Sequence, residues 1–139
     1  MIKYKTGSIF DSKKQYLVNP INCVGVMGRG LAAEFRMRYP EMFKWYQEEC
    51  RQGRILTGFV YPWEKKVMLF PTKNDWRYKS KYIWIEQGLM CMKEYFPYSS
   101  FALPRLGCGL GGLEWLRVKD LIEKHLDGMN VEVWSYEVD

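Results

Sequence analysis

Two glycine-rich segments contain most of the residues that could hold an anionic ligand. Residues 25–30 read Gly-Val-Met-Gly-Arg-Gly, and residues 107–112 read Gly-Cys-Gly-Leu-Gly-Gly. Each segment follows a short apolar run, at residues 16–18 and 101–103, that is typical of a buried strand. A strand that runs into a glycine loop and a helix presents free main-chain amides and the positive end of the helix dipole, which together bind phosphate. The pair of loops therefore predicts a ligand with two phosphates.

Neither loop by itself matches an established nucleotide-binding motif. The first loop has the spacing G-x-x-G-x-G, which is not in register with the dinucleotide fingerprint, and no Walker lysine follows either loop. The simpler interpretation is that the glycines only allow tight turns with positive φ. The occurrence of both loops after apolar strands favours the phosphate-binding interpretation.

Composition and charge agree with a globular domain that binds an anion. The chain has 139 residues, 47% of them hydrophobic, which is enough for one domain over residues 1–139 with a core of its own. Its 21 Lys and Arg residues exceed its 16 Asp and Glu residues, so the formal net charge is +5. The basic residues are dispersed along the chain, so nucleic-acid binding is permitted but not indicated. Nothing in the sequence demands a partner chain, and we expect a monomer.

The cysteines and the single histidine give little support for metal or thiol chemistry. Cys23, Cys50, Cys91 and Cys108 form no C-x-x-C pair, and only one imidazole is present, so we expect no metal site. A catalytic cysteine would need His125 as its base, and we expect His125 near a helix C-terminus, where a cation is favourable. The apolar runs are too short for a signal peptide or a membrane span. We therefore expect a cytoplasmic protein with reduced thiols and no membrane partner.

Strands and helices alternate along the chain, which predicts the α/β class. The hydrophobic periodicity predicts strands at residues 2–4, 15–18, 58–63, 66–70, 100–106 and 131–136, and helices at residues 31–39, 40–50, 80–96 and 115–126. The first strand is expected at an edge of the sheet, and Pro62 predicts either an edge position or an early end for its strand. In open α/β sheets ligands bind at the carboxyl ends of the strands. We therefore expect both glycine loops and the loop that contains Lys73 to meet in one cleft.

The order of four motifs, at residues 18–22, 24–30, 70–73 and 103–109, resembles that of macrodomains. More narrowly, the chain is similar to the branch with the human terminal ADP-ribose glycohydrolase, the chromatin-remodeller macrodomain and the DNA ADP-ribosyl glycohydrolase antitoxins. The resemblance spans essentially the whole chain. It implies a three-layer α/β/α macrodomain sandwich with a central mixed sheet, which binds ADP-ribose in a cleft and needs no cofactor.

The resemblance also implies how ADP-ribose is held. The first glycine loop would wrap the distal ribose and a phosphate, and the second would close over the diphosphate. Asn22 matches the family asparagine that contacts the distal ribose hydroxyls, and Tyr136 is similar to the aromatic residue near the adenine. The residues implied to bind the ligand are Ser8, Ile9, Asn22, Gly25, Val26, Met27, Gly28, Gly30, Leu31, Thr72, Gly107, Cys108, Gly109, Leu110, Gly111, Gly112 and Tyr136.

Lys73 is the residue for which the resemblance implies a catalytic role. In the glycohydrolase branch the matching lysine acts at the anomeric carbon of the distal ribose and opens the sugar into a covalent lysine adduct, which water later releases. This chemistry requires an unprotonated amine. We therefore expect the site to lower the pKa of Lys73, by partial burial or by the positive charge of Arg77 or Arg105. The alternative is that Lys73 is only a counter-ion for phosphate at the mouth of the cleft.

The chain departs from the family pattern at two positions. Ser8 replaces the acidic residue that contacts the adenine amino group, so adenine selectivity is expected to be weaker or to come from Asp11. Gly111 replaces the aspartate that resolves the lysine adduct in the human enzyme. The antitoxin branch also has a glycine pair there and a segment similar to residues 72–77, which makes the antitoxins the closest functional analogy.

Several functions remain open at this point. The first is an ADP-ribosyl glycohydrolase that acts on ADP-ribosylated DNA or protein by removing ADP-ribose from a nucleobase or a carboxylate. The second is a phosphatase for ADP-ribose 1″-phosphate. It is less favoured because that branch relies on a histidine and an aspartate, whereas the only histidine here, His125, is expected on the last helix. The third is a non-catalytic ADP-ribose reader. This function is favoured by the glycine at position 111, where the human enzyme has the aspartate that resolves the lysine adduct. The fourth is a nucleic-acid binder that uses the interleaved basic and aromatic residues Trp76, Arg77, Lys79 and Lys81.

Overall fold

The computed structural model of the protein describes residues 2–137, in which a six-stranded sheet carries helices on both faces. The strands are β1 (Ile2–Thr6), β2 (Tyr16–Ile21), β3 (Tyr61–Trp63), β4 (Val67–Pro71), β5 (Ser100–Leu103) and β6 (Asn130–Ser135), and the helices are α1 (Gly30–Arg38), α2 (Pro40–Arg51), α3 (Tyr82–Tyr95) and α4 (Trp115–Leu126). A 3₁₀ turn spans Ile9–Asp11. Within this part of the chain, no helix is long and apolar enough to cross a membrane.

The sheet is mixed, as the resemblance implies. Its strand order is β1-β6-β5-β2-β4-β3, and every pair is parallel except β3 with β4. The strands β1 and β3 lie at the two edges, which confirms the prediction from Pro62, since a proline lacks the amide that an inner strand needs. Glu64 and Lys65 join β3 to β4 with φ values of 48° and 56°, the conformation of a tight hairpin turn.

An apolar core lies on each face of the sheet, which gives the protein three layers. The strand β4 is buried on both faces and therefore reads as a continuous apolar run. Val67 and Leu69 belong to the core under α1 and α2, whereas Met68 and Phe70 belong to the core under α3 and α4. The α/β/α arrangement expected from the resemblance is confirmed.

The connections between strands create a crevice in the middle of the sheet. The neighbours β2 and β5 continue to helices on opposite faces, since α1 packs on one core and α4 on the other. In open α/β sheets such a switch in direction separates the loops at the carboxyl ends of the two strands and leaves room for a ligand. The strand β4 lies beside β2, so the loop after β4 opens into the same crevice. The two glycine loops and the Lys73 loop are thereby brought together.

Three strand ends differ from the prediction by three residues each. The strand β2 continues past Val18 to Ile21 because Asn19 and Pro20 stay in register with β4, although a proline usually ends an inner strand. The predicted strands at residues 58–63 and 100–106 are shorter and comprise only β3 and β5. Pairing across the sheet decides these ends, and it is not visible in local periodicity.

A cluster of charges joins α3 to α4. His125 Nε2 lies 2.6 Å from Glu86 Oε2, and Lys124 Nζ lies 3.4 Å from the same oxygen. The hydrogen bond from His125 is the largest cause that holds the pKa of Glu86 below its ordinary value. His125 occupies the last turn of α4, which confirms its predicted place near a helix C-terminus.

We expect Glu86→Gln to lower the free energy of unfolding near neutral pH by about 1 kcal/mol or less, since the carboxylate is partly exposed. The pKa of Glu86 is lower in the folded than in the unfolded state, so its contribution is present above the unfolded pKa and is lost as pH falls through the folded pKa. Denaturant unfolding near neutral pH and at about pH 3 would measure this. A difference of equal size at both pH values would contradict the expectation.

Candidate functional site

A cleft of about 760 Å³ opens where β2, β4 and β5 end, and we call it the ligand cleft. Its size is in the range of small-molecule and cofactor sites. Both glycine loops and the Lys73 loop contribute to its walls. The predicted site residues that line it are Asn22, Val26, Met27, Gly28, Gly30, Leu31, Thr72, Lys73, Gly107, Gly109, Leu110 and Gly111.

Three residues implied to bind the ligand, Ser8, Ile9 and Tyr136, lie outside the lining of the ligand cleft. The Ser8 hydroxyl oxygen accepts a hydrogen bond from the main-chain amide of Phe10 at 3.3 Å and caps the 3₁₀ turn. Ile9 is only 5% exposed and belongs to the apolar core, whereas Tyr136 is 72% exposed. Asp11 lies in the same turn as Ile9. Contact of these residues with adenine stays a prediction.

Three predicted residues at the ends of the glycine loops also lie outside the lining. Gly25 packs towards α2, where an added Cβ would lie 3.7 Å from a side chain. The Cys108 thiol lies 3.4 Å from the main-chain carbonyl of Leu106, and Gly112 is covered by the side chain of Lys79. In this structure the contacts given for Gly25, Cys108 and Gly112 are with other parts of the protein and not with the ligand cleft, and their contact with a ligand stays a prediction.

Other residues line the ligand cleft that sequence reasoning either missed or placed in another role. Those without a predicted role are Pro20, Ile21, Arg29, Ala32 and Pro104, and those named for other roles are Trp76, Arg77 and Arg105. Pro20, Ile21, Arg29 and Pro104 lie inside the motifs at residues 18–22, 24–30 and 103–109, and Ala32 lies two residues after the second motif. Membership of the motifs, or a place close to them, was therefore the available signal.

Asn22 holds the first glycine loop in shape. Its Nδ2 donates to the Val26 carbonyl at 2.7 Å, and its Oδ1 accepts from the amides of Val24 and Val26 at 3.0 and 3.3 Å. The buried Tyr46 hydroxyl lies 2.8 Å from both the carbonyl oxygen and Oδ1 of Asn22, and burial raises the pKa of this hydroxyl. The sequence predicted only that Tyr46 lies in the helix at residues 40–50. Its role in fixing Asn22 became visible only in the structure.

The segment at residues 72–81, which we call the cationic loop, is tied to the residues that lead into the first glycine loop and to the second glycine loop. The amide of Cys23 donates to the Asn74 carbonyl at 2.9 Å, and the amide of Ser80 donates to the Gly111 carbonyl at 3.0 Å. The cationic loop thus closes one side of the ligand cleft and is anchored at both ends. It carries Lys73 near its start.

The pKa of Lys73 is shifted in the direction that favours an amine nucleophile. The side chain is half-buried at the cleft wall, and burial is the cause that lowers its pKa from the ordinary value of 10.5. A neighbouring positive charge, which the sequence also suggested, does not cause the lowered pKa. Arg77 Nη2 lies 2.7 Å from an Asp75 carboxylate oxygen, and Arg105 Nη1 lies 3.3 Å from a Glu137 carboxylate oxygen. Both guanidinium groups are therefore balanced by a nearby acid.

The thiols near the glycine loops are poor nucleophiles. Burial raises the pKa of Cys23 and of Cys108 to about 11, so both remain protonated at neutral pH. His125 does not line the ligand cleft, because it is bonded to Glu86 between α3 and α4. Among residues 2–137, no group of three His, Cys, Asp or Glu side chains is placed to hold a metal ion.

Gly111 occupies a position with no room for a side chain. A Cβ added there would lie 2.4 Å from Ser80 Oγ and 2.5 Å from the Gly107 carbonyl oxygen. Real Cβ atoms essentially never approach a neighbour so closely. The aspartate that the human enzyme carries at the matching position could not be accommodated without moving the second glycine loop. The departure from the family pattern therefore has a steric reason.

A family model described as the Macro domain matches residues 18–122 of the chain, which include both glycine loops and Lys73. The chain belongs to the macrodomain family. The match begins in β2 and ends in α4, so it contains the strands and loops that form the ligand cleft.

The relatives of this macrodomain include DNA ADP-ribosyl glycohydrolases. The chain is 34% identical over 148 residues to that of Thermus aquaticus, with coverage of 99% of this chain and 41% of the relative. It is 39% identical over 125 residues to that of Mycobacterium tuberculosis, with coverage of 83% and 36%. The chain thus spans about two fifths of the length of these curated relatives.

Solved structures show the same fold over nearly the whole chain. The macrodomain of Mycobacterium tuberculosis DarG superimposes with a TM-score of 0.87 at 34% identity, with coverage of 96% of this chain and 97% of the other. Thermosipho africanus DarTG in complex with ADP-ribose superimposes with a TM-score of 0.86 at 32% identity, with coverage of 96% and 41%. The part of these proteins that the chain matches is therefore a macrodomain.

Proposed function

We propose that this macrodomain binds ADP-ribose in the ligand cleft and hydrolyses the bond between ADP-ribose and a nucleobase or a protein carboxylate. The observation that carries the proposal is a half-buried lysine with a lowered pKa, in the same cleft as two glycine loops. Two similar proteins are named DNA ADP-ribosyl glycohydrolase, and a third was solved with ADP-ribose. These names favour ADP-ribosylated DNA as the substrate.

Main-chain amides at the start of α1 support the diphosphate part of the proposal. The helix begins at Gly30, and its N-cap residue Arg29 forms no side-chain hydrogen bond to the first turn. The first amides of a helix have no partner within the helix and favour a negative charge. Since Arg29, Gly30 and Leu31 line the ligand cleft, these amides can bind one phosphate from the side of the first glycine loop.

In the proposed reaction Lys73 provides the nucleophile. The unprotonated amine donates its electron pair to the anomeric carbon of the distal ribose, the bond from that carbon to the acceptor breaks, and the acceptor leaves with one proton of the amine. The nitrogen then forms a double bond to the same carbon while the bond to the ring oxygen breaks, and the ring oxygen takes the second proton. The product is an imine between the Lys73 nitrogen and the opened sugar. Addition of water to this imine breaks the carbon–nitrogen bond, which releases ADP-ribose and regenerates the free amine.

A reader function is the second candidate, because the carboxylate that resolves the lysine adduct in the human enzyme has no counterpart at Gly111. The phosphatase is less favoured, since His125 lies outside the lining of the ligand cleft.

The deciding experiment incubates the protein with ADP-ribosylated single-stranded DNA, ADP-ribosylated protein and ADP-ribose 1″-phosphate, beside calorimetry with free ADP-ribose. Release of ADP-ribose from either polymer supports the proposal. Binding without turnover supports the reader, and phosphate release supports the phosphatase.

The rate of ADP-ribose release should rise with pH through the pKa of Lys73 and level off above it. Only the unprotonated amine is nucleophilic, and its fraction grows about tenfold per pH unit below the pKa. Because burial lowers this pKa, the plateau should begin below the ordinary lysine value of 10.5. The pH profile of kcat/KM measures it, since this parameter reports the free enzyme. A flat profile, or one that falls with pH, would argue against an amine nucleophile.

A further inference from the structure

We propose that Trp76 forms an acceptor subsite at the mouth of the ligand cleft, where its ring stacks on a nucleobase of single-stranded nucleic acid next to the ADP-ribose linkage. This inference rests on the proposed function and deepens it, because it names the residue that selects a nucleic acid over a protein acceptor. The relatives' names indicate a substrate but no residue that recognises the acceptor.

Trp76 combines exposure with a place in the lining of the cleft. Its side chain is 51% exposed, and it contributes to the same wall as Lys73, three residues earlier in the cationic loop. The Arg77 guanidinium carbon lies 5.8 Å from the centre of the Trp76 ring, and the part of the ring that stays exposed gains burial when a flat ligand covers it. The group nearest this ring in a bound substrate would be the acceptor, since Lys73 acts at the sugar that carries it.

The turn that carries Trp76 is held by Asp75. The Asp75 carbonyl accepts from the amide of Tyr78 at 3.1 Å, and Asp75 Oδ1 accepts from the amide of Arg77 at 3.0 Å. The Arg77 side chain adds a bidentate pair, with Nε to Oδ1 at 3.0 Å and Nη2 to Oδ2 at 2.7 Å. Because main-chain hydrogen bonds to Cys23 and Gly111 anchor the cationic loop at Asn74 and Ser80, the loop has little conformational freedom left to lose when the ring is covered.

Charge and shape favour a single-stranded nucleic acid as the occupant. Residues 72–81 carry the basic side chains Lys73, Arg77, Lys79 and Lys81 and one acid, Asp75, so the loop attracts the phosphates of a polynucleotide. Every base presents a face that stacks on an aromatic ring, whereas a carboxylate acceptor on a protein does not. A base must also be outside a duplex for its modified edge to reach the cleft.

The test compares two ligands in a background without turnover. In the Lys73→Ala protein, calorimetry gives the dissociation constants of free ADP-ribose and of a single-stranded oligodeoxynucleotide that carries ADP-ribose on one base. The ratio of the two dissociation constants is the gain in affinity that the acceptor provides, which we call the gain. We expect Trp76→Ala to reduce this gain by about tenfold, the effect of losing one stacked base. Trp76→Phe, which keeps a ring, should retain most of it.

The matched control is Tyr78→Ala, because Tyr78 is an exposed aromatic residue of the same loop that does not line the cleft. It should leave the gain unchanged. The subsite would be overturned if Trp76→Ala left the gain unaltered. It would also be overturned if an ADP-ribosylated glutamate peptide gave an equal gain and Trp76→Ala reduced that gain by an equal factor. Turnover by the protein with Lys73 intact tests the proposed function separately. If turnover is absent while the gain still depends on Trp76, only the proposed function fails.

Discussion

Replacing Lys73 with alanine should reduce the rate of ADP-ribose release from a modified acceptor by about 10³-fold or more. The alanine removes the amine that forms the covalent adduct, whereas the glycine loops that hold the diphosphate remain in place. Free ADP-ribose should therefore still bind, as calorimetry would show. The rate loss would appear in kcat more than in KM, because the interaction is made in the reaction and not in substrate binding.

The matched control is Lys73→Arg, which separates a nucleophile from a counter-ion. An arginine keeps the positive charge near the phosphates but stays protonated at any accessible pH, so it offers no electron pair. If Lys73 is the nucleophile, the arginine variant should be as inactive as the alanine variant. Recovery of most of the rate by arginine would instead show that Lys73 only balances the phosphate charge.

Gly111→Ala should lower both the stability of the protein and its affinity for ADP-ribose. The new methyl group would lie 2.4 Å from Ser80 Oγ and 2.5 Å from the Gly107 carbonyl oxygen, so the second glycine loop has to move. Overpacking of this kind typically costs about 1–3 kcal/mol of unfolding free energy. A displaced loop no longer aligns its amides with the diphosphate, and we expect an affinity loss of about tenfold or more. Thermal unfolding and calorimetry measure the two effects.

Gly109→Ala provides the control for stability within the same loop. No heavy atom lies within 4 Å of a Cβ added at Gly109, so the methyl group meets open space. The free energy of unfolding should change by less than about 0.5 kcal/mol, as for other substitutions without a steric conflict. If Gly111→Ala unfolds at the same temperature as Gly109→Ala and binds ADP-ribose as tightly as the unsubstituted protein, the second glycine loop moves without a cost in free energy and the steric account is wrong.

Local patterns in the sequence were sufficient for the elements of the fold and for much of the candidate site. The apolar run of β4, the helical spacing of α4 and the glycine loops after strands each depend on residues that are close in the chain, which is why sequence reasoning finds them. The ordered motifs then indicated the macrodomain family, which the match over residues 18–122 confirms. The meeting of Lys73 with both loops followed from the rule that ligands bind where parallel strands end.

Tertiary structure alone decided the properties that arise from contacts between distant residues. Burial at the cleft wall, and not a neighbouring arginine, lowers the pKa of Lys73. Tyr46 fixes Asn22 across 24 positions of sequence, and Ser80 leaves no room for a side chain at Gly111. Burial, hydrogen-bond partners and free space around an atom depend on which elements pack together. A residue's own neighbours in the chain do not determine these quantities.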